Sequence, residues 1–497
     1  MAAGVDRGEV FLNSGAIPVR APTIRALGIR SRHGIHGLLP AVLFAVLLLG
    51  MVAVRAAEPR HPNVIVFLVD DLGATDLGCD GSSFHKTPHI DQLAREGMRF
   101  TAAYSACTVC SPTRASLLTG KYPARLHVTD WIPGDSPKDR PLVSPEWTQH
   151  LPLEEWNLAR AFHAAGYATI SIGKWHLGGP AFYPEHQGFD RNLGGTDRGQ
   201  PPSYFSPYKI PTLPEGPPGE FLPDREASEA CRFIRENRER PFFLYLASYA
   251  VHQPIAGKTN VVAKYRLHAD PAAAQHNPVY AALLEGVDDA VGEIRTTLES
   301  CGLTRDTILV FTSDNGGLAM GGESAPTSNR PLRAGKGTPY EGGVRVPLLI
   351  AWPGRIPAGR TSDFPTITPD LYPTLLALAG VPDAPSHLVD GVSLASQLRG
   401  GPAPDRPAIY WHFPHYHSGG ATPYGAVRSG SWKWIEYDEP GRRPELYDLS
   451  RDPGESTNQS LQNPEVAGRL RADLAAWRER VGAQRPRPNP NAVPTPK

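Results

Sequence analysis

The sequence predicts an α/β fold in which a mixed, mostly parallel sheet is flanked by helices on both faces. Runs of β-branched and aromatic residues recur along the chain, beginning with NVIVFLV at Asn63–Val69, as expected of strands buried on both faces. Segments with helical periodicity alternate with these runs, and such alternation favours a parallel sheet. From about residue 405 the pattern changes to short strand-like runs separated by turns. This change predicts a smaller C-terminal subdomain with an antiparallel sheet.

The individual elements can be assigned in chain order. After the first strand, the predicted strands are Ala168–Ile172, Phe242–Ala247, Thr307–Thr312 and Val346–Ala351. The predicted helices are Ile90–Glu96, a short one after Pro112, Leu153–Ala165, a long one with apolar residues from Val279 to Leu298 at spacings of three and four, Pro369–Ala379 and Pro464–Val481. The stretch Gly179–Pro223 is rich in Gly, Pro and aromatic residues and has little periodicity, so we expect a loop there that is either functional or disordered.

The chain of 497 residues is long enough for one large and one small domain. We predict a signal peptide over residues 1–57, the large N-terminal domain over 58–404 and an α+β subdomain over 405–482. Residues 483–497 (AQRPRPNPNAVPTPK) are polar and rich in Pro, which predicts a disordered tail.

The N-terminal segment has the composition of an export signal. Arg20 to Arg32 supply a basic region, which is followed by an apolar run from Leu38 to Val54 and by Arg55-Ala56-Ala57. We expect cleavage near Ala56 or Ala57, a periplasmic or secreted location and, once the signal is cleaved, no stable membrane insertion. The alternative is an uncleaved anchor, since the run is close to the roughly 17 residues needed to span a bilayer.

Charge and cysteine content restrict the function further. The formal net charge is zero, which argues against a nucleic-acid partner. Five cysteines are an odd number for an exported chain, so we expect one thiol to be chemically special. Cys107 and Cys110 have the spacing of a redox dithiol or of half a zinc site. The surrounding sequence has neither a second CxxC nor a thioredoxin-like pattern, which disfavours both.

Adjacent oxygen-bearing side chains follow two of the predicted strands. Asp70-Asp71 follows Asn63–Val69, and Asp314-Asn315 follows Thr307–Thr312. Ligands of open parallel sheets bind outside the carboxyl ends of the strands, and such oxygens suit Ca²⁺ or Mg²⁺. The alternative is that these residues only end the strands, because Asp and Asn are common in turns.

Several motifs occur together in a recognisable order. Cys110–Arg114 (CSPTR) fits the pattern C-x-P-x-R within CSPTRASLLTGKYP, and GYAT followed by GKWH lies further along. The motifs DNG, RAGKG and, near the C-terminus, ELYDLSRDPGE follow. From about Pro62 onwards the chain therefore resembles the type I, formylglycine-dependent sulfatases, which are arylsulfatase-like members of the alkaline phosphatase superfamily. The resemblance implies an alkaline-phosphatase-like fold and a catalytic role for the domain over 58–404.

The resemblance also implies a chemical mechanism. A formylglycine-generating maturation enzyme would oxidise Cys110 to formylglycine, which hydrates to a geminal diol. One hydroxyl attacks sulfur and the ester oxygen leaves. The second hydroxyl then loses a proton, so that the aldehyde re-forms and sulfate is expelled. Binding of the diol by a metal ion would lower the barrier through positioning and charge neutralisation.

By their motif positions, residues of this chain match the family's functional residues. The implied ligands of a Ca²⁺ ion, preferred over Mg²⁺, are Asp70, Asp71, Asp314 and Asn315, together with the modified Cys110.

The remaining matched residues act on the diol and on the sulfate group. Arg114 would steady the diol, and His176 would hydrogen-bond it and take its proton. Lys174 would contact the sulfate. Lys336 and His252 would hold sulfate and protonate the leaving oxygen.

These matches predict a sulfuric ester hydrolase acting on a sulfated carbohydrate or an aryl sulfate. Trp131 and Trp411 are candidates for stacking on sugar rings, although such aromatic residues are equally often core. Further pocket candidates are His127, His412, His415 and His417. The alternatives are a phosphonate monoester or phosphodiester hydrolase of the same superfamily, and a non-enzymatic binding protein. The latter is disfavoured because every expected catalytic position is occupied.

Overall fold

The computed structural model describes residues 61–492, apart from 136, 138, 323 and 324. The predicted signal peptide and the last five residues of the predicted tail lie outside these residues. The strands are β1 (Asn63–Val69), β2 (Met98–Phe100), β3 (Ala103–Tyr104), β4 (Leu142–Val143), β5 (Ala168–Gly173), β6 (Arg191–Leu193), β7 (Phe242–Ala247), β8 (Thr307–Ser313), β9 (Leu348–Ala351), β10 (Arg360–Ser362), β11 (Thr366–Ile367), β12 (Ile409–Phe413), β13 (Tyr424–Ser429), β14 (Trp432–Tyr437), β15 (Glu445–Asp448) and β16 (Arg487–Pro488).

The α-helices match most of the sequence predictions. They are α1 (Pro88–Glu96), α2 (Cys110–Thr119), α3 (Pro123–Leu126), α4 (Leu158–Ala164), α5 (Leu222–Glu236), α6 (Thr259–Arg266), α7 (Pro278–Ser300), α8 (Glu341–Val344), α9 (Leu371–Ala379), α10 (Ala395–Leu398) and α11 (Pro464–Val481). Within the described part of the chain, none of the helices combines the length and apolarity needed to cross a bilayer.

The central sheet is mixed and mostly parallel, as predicted. Its strand order is β10-β2-β9-β8-β1-β7-β5-β6, and only β9 pairs antiparallel to its neighbours, β8 and β2. The strands β8, β1, β7 and β5 are parallel and in register, with Val69 opposite Ser313, and Ala247 opposite both Leu68 and Gly173. The residues that follow these four strands therefore meet at one edge of the sheet.

Both faces of this sheet are buried, because side chains alternate along each strand. From β1, Ile65, Phe67 and Val69 pack with residues of α1, α5 and α7 on one face. Val64 and Leu68, from the same strand, pack with residues of α2, α4 and α9 on the other. This double burial explains the continuous apolar runs in the sequence.

The C-terminal part forms the predicted antiparallel sheet, with strand order β12-β13-β14-β15. Its core includes Trp411, Trp434 and Leu446, with Leu470 and Trp477 contributed by α11. The domain boundaries at 58–404 and 405–482 stay predictions.

Three sequence predictions need correction. The helix predicted over Leu153–Ala165 begins only at Leu158, because the side chain of Asn157 accepts a hydrogen bond from the backbone N–H of Arg160 and caps the helix there. The stretch Gly179–Pro223 is not a plain loop, since it contains β6 and the first two residues of α5.

The prediction of a disordered tail was wrong for the first residues of that segment. Arg487 and Pro488 form β16, which pairs antiparallel with β4. The carbonyl of Gln484 also accepts a hydrogen bond from His412. These backbone contacts give a polar, Pro-rich segment a place on the fold that composition alone does not reveal.

Candidate functional site

The candidate site lies at the edge of the sheet where β1, β5, β7 and β8 end. Asp70 and Asp314 follow paired strands, and Lys174 follows β5. The backbone N–H of Asp71 donates to Asp314 Oδ1 at 3.2 Å, which ties the two acidic pairs together. The strand register thus brings side chains that are far apart in sequence into one cluster.

Cys110 is the first residue of α2, and its side chain is buried. Its Sγ lies 3.3 Å from Nδ1 of His176. His176 Nε2 lies 2.5 Å from the carbonyl oxygen of Ile132 and must donate to it, since a carbonyl only accepts. The remaining nitrogen, Nδ1, therefore presents its lone pair to Cys110. Burial, with a smaller contribution from Lys174, holds the pKa of His176 well below its usual range, so the ring is neutral.

Arg114 lies one helical turn beyond Cys110 and is fully buried. Its Nη2 is 2.7 Å and its Nε 2.9 Å from Oδ2 of Asp314. Its Nη1 donates to the carbonyl of Lys174 at 2.8 Å. Although burial opposes the charged form, the carboxylates of Asp314 and Asp70 raise the pKa of Arg114 overall. The guanidinium therefore connects the residues that follow β5 and β8.

Two lysines bind the first acidic pair. Lys174 Nζ lies 2.6 Å from Asp70 Oδ2, and Lys336 Nζ lies 2.6 Å from Asp71 Oδ1. Asp71 Oδ1 also accepts from Asn315 Nδ2 at 2.8 Å. Burial works against the ammonium of Lys336, but the carboxylate of Asp71 raises its pKa overall.

The acidic groups respond differently to the same burial. Burial and the carboxylate of Asp314 raise the pKa of Asp70 well above its usual range. For Asp71 burial acts in the same direction, but Lys336 and His252 lower its pKa overall. Asp70 is thus the carboxylate with the least compensation, and a further cation beside it would stabilise its charged form.

Three oxygen atoms of these residues are available to bind a cation. Asp70 Oδ1, Asp71 Oδ2 and Asn315 Oδ1 are buried and have no hydrogen-bond partner among the described residues. Ligand atoms of Asp70, Asp71 and His252 all lie within 4.8 Å of one another. Uncompensated buried oxygens are costly, and together they form a donor set that a hard divalent cation prefers. The residues present therefore fit a divalent metal ion.

His252 lies in the segment that follows β7. Its Nδ1 donates to the carbonyl of Gln253 at 2.7 Å, so Nε2 is free to face the site, 3.7 Å from Asp71 Oδ2. Burial and the neighbouring Lys336 lower the pKa of His252 to about 3. The imidazole is therefore neutral, with an unprotonated Nε2 directed at the acidic pair.

A cavity of about 620 Å³ opens onto this cluster. Its lining includes Cys110, His176, His252 and Lys336 among the predicted site residues. A larger cavity of about 860 Å³, near Arg305 and other residues at the opposite edge of the sheet, contains none of them. Geometry and the set of functional groups favour the smaller cavity as the active site.

The lining of the cavity shows which of the residues predicted to contact substrate face it. Trp131 and His417 line it, whereas Trp411 is core and donates its indole N–H to the carbonyl of Ser105. His127 bonds the carbonyl of Gly482 instead. The other two histidines, His412 and His415, bond Gln484 and Thr129 away from the cavity.

Sequence reasoning missed two parts of the site. The carbonyl of Ile132 fixes the tautomer of His176, but a backbone acceptor leaves no mark in the sequence. Residues 197–202 form one wall of the cavity. Within them, a Cβ at Gly199 would lie 2.7 Å from Cε1 of His176, so glycine permits this wall to approach. The Gly- and Pro-rich composition was the available signal.

Comparison with known proteins defines the class of enzyme to which this fold and site belong, a hydrolase. Residues 62–381 match the family described as Sulfatase, and residues 335–480 match the family described as "N-sulphoglucosamine sulphohydrolase, C-terminal". The chain belongs to the sulfatase family and is a sulfuric ester hydrolase.

Individual relatives agree with this assignment. The chain is 36% identical to arylsulfatase A of Homo sapiens, with 83% of this chain and 86% of that protein covered. It is 32% identical to N-acetylgalactosamine-6-sulfatase of Canis lupus familiaris, with 80% and 82% covered. A crystal structure of Ps i-CgsB in complex with k-i-k-neocarrahexaose superposes with a TM-score of 0.73 at 28% identity, covering 84% of this chain and 93% of that one.

Proposed function

We propose that this enzyme hydrolyses sulfate esters of carbohydrates, and aryl sulfates as well, with a formylglycine made from Cys110 as nucleophile and Ca²⁺ as cofactor. The observation that carries this proposal is the convergence of Cys110 and His176 with two lysines and three unpartnered oxygens in one buried cluster. Sulfate ester hydrolysis needs a strong nucleophile, positive charge around the sulfate oxygens and a proton donor, and each has a candidate here.

The metal ion would be held by Asp70, Asp71, Asp314 and Asn315, with the modified Cys110 as a further ligand. When bound, a divalent cation supplies positive charge that favours attack on an anionic ester. Ca²⁺ is preferred over Mg²⁺ because it accepts many carboxylate and amide oxygens in a flexible geometry. The three unpartnered oxygens support this assignment.

His176 is the proposed base that acts on the modified Cys110. Its Nδ1 lone pair faces Sγ, the atom whose place the formylglycine oxygens would take. The hydrogen bond from Nε2 to Ile132 holds the ring in that tautomer, and the low pKa keeps it free to accept a proton. Arg114, which is bound to Asp314 and Lys174, would hold the start of α2 and the metal ligands in register.

Lys174 and Lys336 are the proposed sulfate-binding groups. Both ammonium groups lie beside the acidic pair, and Lys336 lines the cavity. Point charges of this kind stabilise the charge that develops on sulfate oxygens during the reaction.

His252 is the proposed donor of a proton to the leaving oxygen. In the absence of substrate it is neutral and lacks a proton on Nε2, so binding of an anionic ester beside it has to raise its pKa before it can serve as acid. The same unprotonated Nε2 also suits a metal ligand, because it lies 3.7 Å from Asp71 Oδ2 and because ligand atoms of His252, Asp70 and Asp71 all lie within 4.8 Å of one another. The dependence of rate on the leaving group separates these two roles.

A carbohydrate substrate is supported by two observations. Trp131 lines the cavity beside Cys110 and offers a face for a sugar ring. Two of the matched proteins are named for sulfated-sugar hydrolysis or were crystallised with an oligosaccharide. Maturation by a formylglycine-generating enzyme and a periplasmic or secreted location complete the proposal.

The test is a comparison of substrates on matured protein. We expect turnover of nitrophenyl sulfate and of at least one sulfated mono- or disaccharide in a panel, with much slower turnover of an aryl phosphodiester or phosphonate. Cys110→Ser, produced in a host whose maturation enzyme acts on cysteine, serves as the inactive control. A phosphodiester or phosphonate preferred over every sulfate would support the alternative hydrolase and contradict the proposal.

A further inference from the structure

A buried ion cluster joins the C-terminal sheet to the segment that carries Lys336. Lys433, on β14, places its Nζ 3.0 Å from Glu341 Oε1 and 2.9 Å from Glu455 Oε1. All three side chains are 0% exposed. Glu341 is the first residue of α8, and Glu455 follows β15. None of the three lines the active-site cavity.

Glu341 is the centre of this cluster. Its backbone N–H donates to Glu455 Oε2 at 2.6 Å, and its Oε2 accepts from the hydroxyl of Tyr104 at 2.8 Å. Burial opposes ionisation of Glu341, but Lys433 lowers its pKa overall. Because an unpaired charge in this position is costly, the partners together fix where α8 begins.

The segment 333–338 packs directly on α8. A Cβ at Gly342 would lie 2.4 Å from the carbonyl oxygen of Ala334, and one at Gly343 would lie 2.2 Å from that of Thr338. Gly342 N also donates to the carbonyl of Arg333 at 2.9 Å. The side chain of Arg333 in turn donates to the carbonyl of Glu455 at 2.9 Å. A shift of α8 or of Glu455 therefore moves this segment.

On its other side, the segment 333–338 contacts residues next to the candidate metal ligand Asn315 and the candidate nucleophile Cys110. Lys336 N donates to the carbonyl of Gly317 at 3.1 Å, two residues after Asn315, and Gly337 N donates to the carbonyl of Thr108 at 3.0 Å, two residues before Cys110. Lys336 Nζ then reaches Asp71 Oδ1 at 2.6 Å. The position of this ammonium is thus set by backbone contacts on both sides of the segment.

We propose that Lys433 and Glu455 are positioning residues that hold Lys336 at the sulfate site through Glu341 and α8. The C-terminal sheet is then part of the catalytic apparatus as well as of the fold. This inference rests on the role proposed above for Lys336 in binding sulfate.

The test is a double-mutant cycle with Lys433→Met, Lys336→Met and the double variant, assayed for kcat and KM on nitrophenyl sulfate and for inhibition by inorganic sulfate. Displacement of a positioned group by about 1 Å costs about 10²-fold in rate, so Lys433→Met should lower kcat/KM by about that factor and weaken sulfate inhibition. The double variant should be no worse than Lys336→Met, because both changes remove the same interaction.

The control is Arg406→Met, which breaks another buried ion pair, with Asp370, outside this segment. We expect a comparable fall in melting temperature with kcat/KM within about twofold of the wild type for correctly folded protein. If Lys433→Met does not fold, Glu455→Gln preserves the Lys433–Glu341 pair and should lower kcat/KM about tenfold, again without adding to Lys336→Met.

The outcomes separate the inference from the function on which it rests. Wild-type kcat/KM in Lys336→Met would overturn the role of Lys336, and the inference with it. A large loss in Lys336→Met, with Lys433→Met behaving like Arg406→Met or with losses that multiply in the double variant, would overturn the positioning role alone.

Discussion

Replacement of Arg114 by methionine removes a fully buried cation from the site. The side chain donates one hydrogen bond to Asp314, from Nε at 2.9 Å, and one to the carbonyl of Lys174 at 2.8 Å, and its Nη2 also lies 2.7 Å from Asp314 Oδ2 as an ion pair. Both hydrogen bonds come from the charged guanidinium, and bonds of this kind contribute about 1.5–3 kcal/mol each, which together give about 3–6 kcal/mol. Breaking a buried ion pair typically costs about 3–5 kcal/mol, and we adopt this range because adjacent bonds are not additive.

The assay is the melting temperature at a fixed scan rate in the presence of a chelator. For a chain of this size, a loss of 3–5 kcal/mol corresponds to a fall of about 3–6 °C. Arg295→Met is a matched control, since Arg295 lies 2.6 Å from Glu96 but these side chains are 23% and 33% exposed. An exposed pair contributes about 0–1 kcal/mol, so this variant should shift by about 1 °C or less. Equal shifts in the two variants would refute the reasoning from burial.

Three further predictions concern the metal, the acid and a buried carboxyl group. Chelation should lower the melting temperature of the wild type, because a tightly bound ligand stabilises the native state. Asp314→Ala should abolish both this response and the activity. Full activity of metal-free protein would contradict this prediction. His252→Ala should depress kcat for a sugar sulfate about 10²–10⁴-fold but hardly affect nitrophenyl sulfate, whose leaving group needs no proton, whereas Lys174→Ala should harm both equally; equal losses in the His252 variant would favour metal or sulfate binding instead. Burial raises the pKa of Glu226 from 4.5 to about 7, so its contribution to stability is complete below pH 4.5 and is lost as the pH rises through 7. Between about pH 4 and 8, the wild type should therefore lose about 3 kcal/mol more of its free energy of unfolding than Glu226→Gln, which has no carboxyl group to ionise. Thermal melts of both proteins across this pH range measure the difference. Identical pH profiles would argue against a raised pKa.

The sequence predicted the fold best where burial of an element leaves a clear apolar pattern. The strands at Asn63, Phe242 and Thr307 are continuous apolar runs because both faces of the sheet are covered. Boundaries set by one local bond were harder. The start of α4 depends on the cap at Asn157, and β16 depends on backbone pairing with β4. Neither interaction changes the apolar pattern from which elements are predicted.

The candidate site was predictable where motif residues follow strands. Asp70 and Asp314 lie together because β1 and β8 are paired in register. The sequence indicated that the strands are parallel, but not which of them are neighbours. What could not be predicted is the geometry set by backbone atoms and by distant charges. The carbonyl of Ile132 orients His176, and the cluster around Lys433 reaches the site only through a short helix. Such contacts depend on three-dimensional packing, to which single residues give no clue.

The central claim is that the nucleophile derives from Cys110. The most direct measurement is peptide mass spectrometry of active, matured protein, combined with sulfatase assays of Cys110 variants. We predict formylglycine at Cys110 and an unoxidised or disulfide-bonded cysteine at Cys107, with no activity in Cys110→Ala. Full sulfatase activity in Cys110→Ala, or active protein whose Cys110 is entirely an unmodified thiol, would contradict the account.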